Sequence, residues 1–133
     1  MTSDTPIKTI LTDEAPAPAG HYSQAIVANG TIYIAGQLPI APDRTGDPDS
    51  PFEDQARRAI ANMLAILQAA GGDPTRLVRV TAYIVGIENW PRFNAIYAQM
   101  LGDTEPARTV VPVPELHHGY LVEVDAIGLV VTG

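Results

Sequence analysis

Three polar residues stand where the surrounding pattern expects apolar ones. Arg108 lies in the apolar run Ala107–Val113, Glu123 lies in the run Leu121–Val131, and Asn94 lies beside the apolar stripe of a helical segment. An arginine in such a strand is either a solvated edge residue or a buried cation that needs an anion. In the second case its planar fork binds a carboxylate through two parallel hydrogen bonds. Glu123, with Asp125, is either the solvent face of an alternating strand or a carboxylate held near a ligand. There it could orient or deprotonate a water, or stabilise a cationic iminium. A further alternative is that Arg108 and Glu123 pair with each other.

Tyr22 follows the segment Ala15-Pro16-Ala17-Pro18-Ala19-Gly20, which reads as extended and turn-rich. It is either a ring covering the edge of the core or a phenol donor walling a pocket. Gly36 and Gln37 either end a strand or allow close approach of backbone to a ligand. His117 and His118 are adjacent, so a strand would point them in opposite directions, and His21 reads as a surface loop residue. No H-x-H, H-E-x-x-H, G-x-G-x-x-G, Walker or G-x-S-x-G pattern occurs, and there is no cysteine. Metal, phosphate-loop and Ser- or Cys-nucleophile chemistry therefore have no motif to rest on.

The elements that must position these residues are well marked. Thr9–Leu11 reads as a short edge strand. Ala25–Ala28 and Thr31–Gly36 read as a hairpin across Asn29-Gly30, since both turn residues tolerate positive φ. Pro39 to Pro51 is a loop with four prolines. Ser50 as N-cap, Pro51 at the first position and Glu53 completing a capping box predict a helix that Gly71-Gly72 stops. Its buried stripe is Phe52, Ala56, Ile60, Met63, Leu64 and Leu67, with Glu53, Arg57, Arg58, Asn62 and Gln68 opposite. Leu77–Val85 is a strand, and Asn89 caps a second helix through Leu101. Ala107–Val113 and Leu121–Val131 are the last two strands, joined by the loop Pro114–Gly119.

The order is β-β-β-α-β-α-β-β, an α+β domain with both helices on one face of a mixed sheet. Val122, Val124 and Ala126 are expected on the other face. An apolar face without helical cover is the reason to expect sheets to pack together in an oligomer.

The chain has 133 residues, one domain's worth, with residues 1–15 expected to be loosely ordered. Charged residues make up 17% against about 25% in a typical domain. The formal net charge is −7 and no basic run occurs, which argues against a nucleic-acid partner. Met1 to Asp13 lacks the basic start and apolar stretch of a signal peptide, and no run is long enough to span a bilayer. A cytoplasmic protein without a membrane partner is the expectation.

Five stretches resemble the Rid family, the reactive-intermediate (enamine/imine) deaminases, earlier described as perchloric-acid-soluble proteins or endoribonucleases. They are Tyr22-Ser23-Gln24-Ala25, Ile34-Ala35-Gly36-Gln37-Leu38-Pro39, Phe93-Asn94-Ala95-Ile96-Tyr97, Pro106-Ala107-Arg108-Thr109 and Val122-Glu123-Val124-Asp125-Ala126-Ile127. They stand in family order along nearly the whole domain. The resemblance implies a chorismate-mutase-like fold, a homotrimer with sheets packed into a central barrel, and active sites between subunits. It puts the substrate carboxylate on Arg108, the attacking water on Glu123, the pocket tyrosine on Tyr22, the backbone contact on Gly36 and the helical asparagine on Asn94. It implies no cofactor or metal. His21 stands where many members have proline, Ala35 where the best-known have serine, and Val110 where some have cysteine, so these three positions bear on substrate choice.

The reaction implied is hydrolysis of 2-imino acids or enamines to 2-keto acids and ammonia. Three other readings remain. The same cleft could hold small carboxylates without turnover as a regulatory trimer. It could serve one dedicated pathway. Or the older ribonuclease and translation-inhibitor description could apply, against which the acidic charge weighs.

Overall fold

The structure, a computed structural model, describes residues 6–131. Six strands and two helices follow the expected order: β1 Ile7–Ile10, β2 Ala25–Ala28, β3 Thr31–Gln37, α1 Phe52–Ala69, β4 Leu77–Val85, α2 Trp90–Leu101, β5 Ala107–Val113 and β6 Val122–Leu129. They form one sheet in the order β1-β2-β3-β6-β4-β5. Only β4 and β5 run parallel, as a strand–helix–strand crossover through α2 allows. All other neighbours are antiparallel. The fold is α+β, with both helices on one face.

Local chemistry accounts for most boundaries. Asn29 and Gly30 take φ of 51° and 77°, the mirror-image turn that suits the twist of β2 and β3. α1 ends where Gly71 takes φ 94° and the Gly72 amide turns back to the Leu67 carbonyl. Its apolar stripe is buried, with Ala56, Ile60, Met63 and Leu67 fully so. This stripe packs on β3 and β6, and Gly128 of β6 leaves room for Leu67, whose Cδ1 would lie 2.9 Å from any Cβ there.

Several expectations are corrected. Pro51, not Ser50, precedes the first helical residue of α1, and it makes no side-chain cap. The Ser50 hydroxyl donates instead to the Asp47 carbonyl. Glu53 does not close a capping box: both its oxygens accept from Arg92, each at 2.7 Å, and tie α1 to α2. Asn89 provides no side-chain cap for α2: its Oδ1 accepts from the Arg92 guanidinium at 2.9 Å, while its amide donates to the Val85 carbonyl. Asn62 points inward, fully buried, and donates to the carbonyls of Leu38 and Ile40.

Val122, Val124 and Ala126 lie under the helices, all at least 97% buried. Alternation defines two faces but not which one a helix covers. The uncovered face carries Tyr33, Thr81, Tyr83, Glu123, Asp125 and Ile127, which the register places side by side. The first strand spans Ile7–Ile10 rather than Thr9–Leu11; it pairs with β2, and Ala15 is buried. Of the segment 1–15 expected to be loosely ordered, residues 1–5 lie outside the described residues.

Candidate active site

The predicted site residues fall into two groups on opposite faces of the sheet. The first lines an open cleft of about 720 Å³. Its floor is Glu123, and its walls include Tyr22, Ala35 and Gly36. A β-bulge builds this floor. Ile34 pairs with Ala126, the next pairing joins Gln37 to Val124, and Ala35 and Gly36 therefore share one place in the ladder. The buried Gln37 amide donates to the carbonyls of both bulged residues at 3.2 Å. Gly36 lies directly beneath the Glu123 carboxylate: a Cβ there would fall 2.6 Å from Oε2.

The opposite wall is the N-terminal segment, held by one buried side chain. Gln24 Oε1 accepts from the Thr12 amide at 2.7 Å, and its Nε2 donates to the Thr12, Ala15 and Pro16 carbonyls. The Tyr22 hydroxyl accepts from the Ala19 amide, which turns the ring along the cleft.

Burial raises the Glu123 carboxyl above the ordinary carboxylate range; the charge of His117 opposes this and that of Asp125 adds to it. Next to it, Asp125 accepts a hydrogen bond from the Tyr83 hydroxyl at 3.1 Å. Burial, then Asp125, push the Tyr83 phenol up.

The second group surrounds Arg108. Arg108 pairs in register with Val80, a helix-facing residue, so it projects towards α2. Trp90, Asn94 and Tyr97 stand at i, i+4 and i+7 on that helix and receive it. Asn94 Oδ1 accepts from the guanidinium at 3.0 Å, which lies over the Tyr97 ring at 4.8 Å and the Trp90 ring at 6.0 Å. Among the described residues Arg108 has no carboxylate partner; the ion pairs there are Arg57–Asp54 and Arg92–Glu53. Val110 is half-buried on the same side and packs against the core. The Tyr97 hydroxyl is buried without a hydrogen-bond partner among the described residues.

Arg108 and Glu123 therefore do not pair within the chain. Glu123 sits in register with Tyr83, and Arg108 with Val80, on the alternate face of the same strand β4. His21 is exposed and is not among the residues lining the cleft. His117, His118 and Arg44 do line it. The two histidines carry no metal-ligand spacing, and nothing in the sequence signalled that the Pro114–Gly119 loop would bring them to the cleft. They occupy a short 3-10 turn in which His118 takes φ 63° and Gly119 φ 79°. The glycine after them was the available sign of a turn.

The chemistry assembled is a carboxyl held above the ordinary carboxylate range in the cleft and, on the other face of the sheet, a cation held by neutral groups. Among the described residues no group of three or more His, Cys, Asp or Glu is placed to hold a metal. No helix there is long and apolar enough to cross a membrane.

A sequence model of the family described as Endoribonuclease L-PSP matches residues 12–130. A RutC family protein of Pyrococcus horikoshii is 40% identical over 89% of this chain and 94% of that protein. A bovine protein named 2-iminobutanoate/2-iminopropanoate deaminase is 37% identical over 92% of this chain and 89% of its own length. The crystal structure of YyfA of Yersinia pestis, of the conserved Rid protein family, superposes with a TM-score of 0.89 at 39% identity, covering 94% of this chain and all of that one. Sequence and fold agree over the same span, and by both this chain belongs to the Rid family, the group of the L-PSP and RutC proteins.

Proposed function

We propose that this chain is a cytoplasmic deaminase of reactive 2-imino acids and enamines, working as a homotrimer whose active sites lie between subunits. The observation that carries the reading is the state of Arg108. Its guanidinium is held by an amide oxygen and two aromatic rings, with no carboxylate beside it among the described residues. A half-buried cation oriented by neutral groups alone keeps its charge for a ligand. The bovine relative carries the name of this activity.

The reaction follows from the two groups taken together. A 2-imino acid places its carboxylate on Arg108, with Asn94 fixing the fork. Glu123, on the neighbouring subunit, takes a proton from a water as its oxygen bonds to the C=N carbon. The tetrahedral carbinolamine then loses ammonia and leaves a 2-keto acid. Tyr22 and Gly36 shape the approach, and Ala35, Val110 and the nearby His21 bear on substrate choice. Much of the rate would come from holding water and imine in line.

The trimer is supported by the uncovered sheet face, where Tyr33 is 48% exposed beside Ile127. A net charge of −7 favours a small-molecule substrate over RNA.

The test is ammonia release from freshly generated 2-iminopropanoate, with wild type set against Arg108→Ala. One charge-assisted pair contributes about 1.5–3 kcal/mol, so the variant should lose at least about tenfold in kcat/KM. Equal rates would favour a binding protein without turnover. RNA cleavage that persists in Arg108→Ala and varies between preparations would mark a contaminant.

A further inference from the structure

Deamination needs two proton movements, one from the attacking water and one to the departing nitrogen. Glu123 accounts for the first, and the second has no assigned group. His117 and His118 sit in the short turn that delivers the chain to β6. The left-handed conformation of His118 brings both rings to the cleft that holds Glu123, their centroids 5.8 Å apart. His118 then presents an edge contact to Tyr120 at 6.4 Å. His117 is the neighbour whose charge acts most on the Glu123 carboxyl, ahead of Asp125.

We propose that His117 is the proton donor of the reaction, protonating the amine nitrogen of the tetrahedral intermediate so that ammonia can leave. This rests on the deaminase reading. The sequence starts from the iminium. Water oxygen bonds to carbon, the C=N π pair moves to nitrogen, and Glu123 takes the water proton. The imidazolium of His117 protonates the amine. The C–N bond breaks with its electron pair on ammonia, the carbonyl forms, and the hydroxyl proton returns to the imidazole. Ammonia takes the proton from Glu123 and departs as ammonium. Iminium and water become ketone and ammonium, and both side chains return to their starting states. The groups facing His117 in the cleft are Glu123 on β6, His118 in its own turn, Arg44 in the loop after β3, and Tyr22 on the N-terminal wall, with Asp125 beside Glu123.

The experiment pairs kinetics with a measurement that does not depend on turnover. In His117→Ala, kcat for 2-iminopropanoate should fall about 10²-fold, and the basic limb of the pH–rate profile should disappear. Added imidazole should restore part of the rate, which a purely structural role does not permit. Separately, the Glu123 side-chain carbon, followed by NMR across pH in the folded variant, should titrate at higher pH than in wild type, because an opposing cation is gone. An unmoved Glu123 titration, or an unchanged pH profile, overturns the proposal while leaving the deaminase reading intact. A wild type no faster than Arg108→Ala overturns both.

Discussion

Arg108 and Glu123 leave opposite faces of one sheet, the first on the side of the helices and the second on the uncovered side, with β4 between their strands. Rotamer changes cannot bring them to one substrate within a chain. A reaction that uses both needs two copies.

Shared sites predict complementation. Arg108→Ala and Glu123→Gln should each be nearly inactive alone. Mixed in equal parts, unfolded and refolded together, they should recover roughly a quarter of wild-type ammonia release, since a random partner supplies the intact half at one site in four. No recovery would place both residues' work within single chains.

Gly36 predicts a separation of activity from stability. A methyl group there meets the Glu123 carboxylate at 2.6 Å, and the flexible end of that side chain must swing away. Gly36→Ala should lower kcat about 10²-fold through misplaced geometry. It should change stability by less than about 1 kcal/mol in denaturant melts, because nothing in the core moves.

The raised Glu123 carboxyl predicts a pH-dependent gain on its removal. Its folded-state pKa lies above the unfolded one, so its stabilising contribution is full below the unfolded value and is lost as pH rises through the folded value. At neutral pH the ionised, partly desolvated group costs stability. Glu123→Gln should therefore raise Tm at pH 7, and calorimetry in acid, near the unfolded carboxylate range, should show the difference closing. A constant difference at both pH values would mean that burial is not what perturbs the group.

Gln24 predicts a link between a buried amide and the cleft wall. Its side chain satisfies one amide and three carbonyls of the N-terminal segment. Gln24→Ala should cost about 2 kcal/mol or more, because buried backbone groups lose their partner. It should also raise KM and expose Ala17–Gly20 to limited proteolysis.

The chain announced much of this in advance, for identifiable reasons. Asn29-Gly30, Pro51 and Gly71 act through their own backbones, so their turns and helix ends are readable locally. Arg108, Glu123 and Asn94 were visible because each interrupts an apolar pattern. Gln24, Gln55 and Asn62 were not, since each serves carbonyls or amides 5 to 66 residues away. Gln55 and Asn62 flank the apolar stripe of α1, and the loops that cross them are what bury them. The face of Val122 was misread for a related reason: period two orders a strand's side chains without saying which layer arrives above them. The two histidines depended on a left-handed residue that the sequence marked only through the glycine behind it.

β6 is the last strand along the chain, yet it occupies an interior position between β3 and β4. The ladder with β3 joins residues such as Thr31 and Leu129. During translation, β1-β2-β3 and β4-β5 can form only as separate ribbons with open edges until β6 emerges from the ribosome. Pairings of such long reach form slowly. A nascent chain stalled before Val122 thus presents two adhesive edges rather than a nearly finished domain.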